Sequence, residues 1–100
     1  MNAILQNNLK QIEAACKTHN VKSLFAFGSV CSDKFTELSD IDLLVSFHPM
    51  DYGEYADNYF DMAEKMEEVF QRSVDLVTEN SLSNPYFIKS VNESKIQLYG

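Results

Sequence analysis

Apolar residues at helical spacing open the chain. Leu5, Leu9, Ile12 and Cys16 recur with polar residues between them, which predicts a helix over 3–19 that ends at Thr18-His19-Asn20, with Asn20 in the left-handed cap position. Residues 22–27, Lys-Ser-Leu-Phe-Ala-Phe, read as a buried strand running straight into Gly28-Ser29. After a polar connection over 30–39, with one short helical turn after Ser29, residues 40–47 alternate cleanly. Ile41, Leu43, Val45 and Phe47 take one face and Asp40, Asp42, Leu44 and Ser46 the other, until Pro49 stops the strand. The stripe of Tyr55, Tyr59, Met62, Met66 and Val69 predicts the longest helix over 53–71, with Asp57, Asp61, Glu64, Glu67 and Glu68 on its outer face. Residues 74–78 form a third strand, Pro85 opens a short helix over 85–93, and 95–99 supply a last edge strand.

The connection between the first two strands is too short for a crossover helix, so they are expected to pair antiparallel. The long helix lets the third strand return parallel to the second. The expected fold is α/β, a small mixed β-sheet with helices packed on one face and an open face carrying Asp40, Asp42 and Asp75. One hundred residues are expected to form a single domain, 1–100, with a shallow cleft or one completed by another protein.

The open face is where chemistry is expected. Two carboxylates two residues apart on a strand point the same way. Asp40 and Asp42 therefore make a platform for a hard divalent cation, and magnesium binds through one or two carboxylates plus substrate phosphates. Asp75 lies in Val74-Asp75-Leu76-Val77, a stretch that could have been apolar throughout, and is the candidate third ligand. Two such ions could activate a hydroxyl and stabilise a leaving pyrophosphate. Gly28 lets backbone approach a phosphate closely, and Ser29 adds a hydroxyl donor. Ser39 stands just before the aspartate pair, placed either to contact the nucleotide or to cap the turn and orient Asp40.

Composition narrows the partners. The net charge is −7 and the eight Lys and Arg form no run, so nucleic acid is not expected as the primary partner. No stretch approaches a membrane span, and polar Asn7, Asn8, Lys10 and Glu13 interrupt any signal-peptide core. Cys16 and Cys31 match no metal or redox spacing and read as reduced thiols of a cytoplasmic protein. His19 and His48 have no second histidine at metal spacing, so zinc is not expected. Tyr52, in the loop before the long helix, is free to stack on a base, whereas Tyr55 and Tyr59 share their stripe with core methionines. The sheet's free edge and incomplete cleft favour a homo- or hetero-oligomer.

Gly28-Ser29, ten residues, then Asp40-Ile41-Asp42, with Asp75 in its own later strand and the ending Asn84-Pro85-Tyr86 … Leu98-Tyr99-Gly100, resembles the polymerase-beta-like nucleotidyltransferase superfamily, and within it the minimal nucleotidyltransferases, or MNT proteins. The resemblance spans nearly the whole chain. It implies magnesium, ATP as substrate, metal binding by Asp40, Asp42 and Asp75, a base role for Asp75, and triphosphate contacts from Gly28 and Ser29. It also implies a HEPN-domain partner, with the chain as antitoxin of a toxin–antitoxin pair and AMP passed to a hydroxyl of that partner. One departure stands out. Many members continue Gly-Ser-x-Ala-Arg-Gly, whereas Ser32 and Asp33 occupy the arginine and glycine places here, leaving Lys34 as the nearest cation in sequence. The departure supports a second reading, a binding module that neutralises its partner by contact. Transfer to a small molecule is a third, weakened by the lack of an acceptor domain.

Overall fold

A computed structural model describes residues 2–100. Four strands, β1 (Val21–Phe27), β2 (Ile41–Phe47), β3 (Val74–Thr78) and β4 (Ile96–Tyr99), form one sheet in the order β3-β2-β1-β4. β1 pairs antiparallel with both β2 and β4, and β2 pairs parallel with β3. The expected antiparallel and parallel pairings are both present.

The helices are α1 (Ala3–Gln6), α2 (Leu9–Thr18), α3 (Tyr52–Phe70) and α4 (Pro85–Ser94). The one helix expected over 3–19 is therefore two. Asn8 Nδ2 donates to the Ile4 carbonyl at 2.7 Å, and the Asn7-Asn8 pair closes α1. Asparagine competes with the helical backbone in this way, and apolar spacing does not register it. Leu5, Ile12 and Cys16 still share one buried face across the break. Asn20 has φ 59°, the left-handed conformation expected at that helix end. Tyr52 is the first residue of α3 and not part of the preceding loop, and it is 96% exposed.

The main core lies on one side of the sheet. Leu24, Ala26, Ile41, Leu43, Val45 and Leu76 face Ile12, Cys16, Met62, Met66 and Phe70. A smaller cluster occupies the other side: Phe27 and Leu44 pack with Val91 of α4, flanked by Phe25, Val77 and Leu82. Phe27 and Phe87 meet edge-to-face at 5.9 Å. α4 thus lies on the face expected to be open, because Leu44 and Phe27 give it an apolar seat there. Asp42 and Asp75 share this face but are not part of the cluster.

Two backbone groups on the outer edge of β3 are occupied by side chains of α3. The Val74 N–H donates to Glu67 Oε2 at 3.1 Å, and the Tyr59 hydroxyl donates to the Leu76 carbonyl at 2.6 Å. Side chains that occupy edge groups in this way blunt strand addition from another chain. No helix among the described residues is long and apolar enough to cross a membrane.

Candidate active site

The candidate site forms where β1 ends and β2 and β3 begin. Phe27 is opposite Asp42 in the β1–β2 register, and Asp42 is opposite Asp75 in the β2–β3 register. The antiparallel turn-back brings the Gly28 turn beside the first carboxylate of β2, and the parallel return of β3 sets a second carboxylate next to it. Asp40 lies one residue before β2 begins, in the connecting loop. Asp40 and Asp75 are exposed and Asp42 is half-buried.

Gly28 and Asp42 fit each other closely. Gly28 has φ +74°, and a Cβ added there would stand 2.5 Å from Asp42 Oδ2. The backbone conformation therefore demands glycine, and a methyl group there would also push the Asp42 carboxylate aside. A 3-10 turn runs over Gly28–Cys31, as expected, with Ser29 half-buried in it. The Gly28 N–H lies 3.4 Å from Ser94 Oγ, at the end of α4. Ser94 was not expected at the site, and the sequence shows only a polar helix end there.

The carboxylates feel one another. Burial first, then the charges of Asp75 and Asp40, raises the Asp42 carboxyl above its ordinary value. Burial, followed by Asp75 and Tyr55, likewise raises the Tyr59 phenol. The donor set, all carboxylate oxygen, suits a hard cation. Yet no three His, Cys, Asp or Glu side chains among the described residues converge on one point as ion ligands. Asp40, Asp42 and Asp75 are brought into one another's field without being closed around a common centre.

Ser39 is committed to its own turn. Its hydroxyl accepts from the Thr36 N–H at 3.0 Å and lies 3.2 Å from Thr36 Oγ1. Of its two expected roles, this is the capping one. Ser32 folds back on the Ser29 carbonyl at 3.0 Å, and a hollow of about 290 Å³ beside it is lined by Asn2, Val30, Cys31, Ser32, Asp33 and Ile96, with no basic side chain. Lys34 is exposed. Arg72, which sequence reasoning passed over, donates from Nη1 to the carbonyls of Thr36 and Ser39, each at 3.0 Å, and its guanidinium sits 4.6 Å above the Phe35 ring. Its solitude is the signal that could have found it, since it is the chain's single arginine.

A family model described as nucleotidyltransferase domain matches residues 9–98. The chain belongs to the nucleotidyltransferase-domain family. A putative protein adenylyltransferase of Methanocaldococcus jannaschii is 38% identical over 78 residues, which cover 78% of this chain and 77% of that one. The solved structure of a putative minimal nucleotidyltransferase superposes with a TM-score of 0.69 at 26% identity, covering 96% of this chain and 95% of that one. The MNT antitoxin fold is also similar: a structure of a tri-AMPylated Shewanella oneidensis HEPN toxin in complex with MNT antitoxin matches with a TM-score of 0.66 at 23% identity, covering 96% of this chain and 72% of that one. As a nucleotidyltransferase domain, the chain carries its Gly-Ser turn and its aspartates at the same end of the sheet.

Proposed function

We propose that this nucleotidyltransferase moves AMP from magnesium-bound ATP to a hydroxyl of a HEPN-domain partner, as the antitoxin half of a toxin–antitoxin pair. The observation that carries the reading is the fit of Gly28 against Asp42, with Asp75 in register beside it. The names of the relative and of the solved complex support adenylyl transfer and a HEPN partner.

In this reading Asp40, Asp42 and Asp75 hold magnesium at one or two sites. Bound there, the cation supplies charge neutralisation for the triphosphate and the leaving pyrophosphate. The chain's own groups do the rest. Backbone at Gly28 and the Ser29 hydroxyl hold the phosphates. Asp75 takes the proton of the acceptor hydroxyl, whose oxygen forms the new bond to the α-phosphorus as the bond to pyrophosphate breaks. Such reactions depend mainly on positioning and charge, which fits a site built from so few side chains.

The contact-only reading retains a specific support. Ser32 and Asp33 stand where the family resemblance implies arginine and glycine, the hollow beside them has no cation, and the three carboxylates are not gathered around one point. Calorimetric titration separates the two. Catalysis predicts a magnesium–ATP binding heat that Asp42→Asn abolishes. A contact-only module predicts no such heat, and partner affinity indifferent to Asp40→Asn and Asp42→Asn.

A further inference from the structure

We infer that Arg72 is a positioning residue that fixes where Asp40 stands, an inference that rests on the catalytic reading above. Asp40 is not on β2 but in the loop before it, and an exposed loop carboxylate has no strand ladder to hold it. Its backbone is instead gripped on both sides by two consecutive residues of the α3–β3 connection. Arg72 Nη1 donates to the carbonyl of Ser39, the residue before Asp40, at 3.0 Å. The Ser73 carbonyl accepts from the N–H of Ile41, the residue after Asp40, at 3.1 Å.

The same Nη1 also donates to the Thr36 carbonyl at 3.0 Å, so one group spans the whole turn that delivers Asp40. The turn is braced from within by the Ser39 hydroxyl on the Thr36 N–H. Below the guanidinium lies Phe35, whose ring packs on the main core, so the clamp is anchored to the interior. None of the ion pairs of the described residues includes Arg72. The one arginine of the chain therefore serves a pair of carbonyls and an aromatic ring. A lysine cannot reproduce this, because planar stacking and a fixed donor direction belong to the guanidinium. The clamp ties Asp40 to the strand that carries Asp75, so the two carboxylates are held to one another through Arg72-Ser73.

The test uses the full chain with Arg72→Lys, and Arg72→Gln as a second variant. Amide hydrogen exchange is followed over residues 35–41, and AMP transfer is measured with labelled ATP. For both variants the inference predicts exchange at least about tenfold faster over 35–41, with β1 and α2 protected as in the wild type. It also predicts kcat lower by about ten- to a hundredfold, the loss expected when a reacting group is misplaced by an ångström or so, with KM for ATP changed less than about twofold. Arg72→Lys should be impaired nearly as much as Arg72→Gln. Wild-type exchange over 35–41, or a rise in KM with kcat unchanged, would overturn the inference. Asp42→Asn serves as the control for the underlying reading. If the wild type transfers no more label than Asp42→Asn, the catalytic reading fails. If the wild type exceeds that control and the Arg72 variants equal the wild type, the positioning role fails alone.

Discussion

Gly28 is held to glycine by its backbone. A methyl group there meets both a left-handed backbone, which disfavours any Cβ, and the Asp42 carboxylate at 2.5 Å. Gly28→Ala should lose about 1–3 kcal/mol of stability, read as a melting temperature several degrees lower, and should displace Asp42. Asp42 offers the complementary experiment. Its carboxyl titrates above the ordinary 3.8 in the folded chain because burial and then Asp75 and Asp40 oppose its charge. The folded state therefore binds more protons than the unfolded one between the ordinary and the raised value, and stability falls as pH rises through that window. Asp42→Asn should accordingly be more stable than wild type at neutral pH, by about 0.2–1 kcal/mol if cross-strand like-charge repulsion sets the scale. The advantage should vanish below pH 3.8. Melting curves across pH, without metal, check both sign and window. That Gly28, Asp42 and Asp75 meet at one end of the sheet was legible in the sequence, because a glycine turn and carboxylates in apolar strands leave a pattern of residue types. Arg72 and Ser94 were not, since a side chain that bonds a distant backbone group leaves no periodic trace.

At the scale of elements, alternation and helical spacing located every strand and the long helix to within a residue or so, since each buries one face against the core. They missed the division between α1 and α2, where a single side-chain bond from Asn8 to the Ile4 carbonyl outweighs an unbroken apolar stripe. They also missed which side of the sheet α4 covers. Val91 and Phe87 mark an apolar helix face, but only the tertiary seat made by Phe27 and Leu44 decides its location. The seal on the β3 edge belongs to this scale too. Tyr59→Phe removes the donor to the Leu76 carbonyl and should cost about 0.5–1.5 kcal/mol. Denaturant melts with unchanged m-value would show the loss to be local to that bond.

For the molecule as a whole, the two sides of the sheet divide the work. One side holds the main core against α2 and α3, which keeps β1, β2 and β3 in register. The other carries α4 on Phe27 and Leu44, with the Ser94 end of that helix beside the Gly-Ser turn. The direct trial of this account is incubation of the chain with labelled ATP, magnesium and the protein encoded by the neighbouring reading frame. The account predicts label on a hydroxyl side chain of that protein, lost with Asp42→Asn and with Asp75→Asn. No label on the partner, or equal label from wild type and Asp42→Asn, would contradict it.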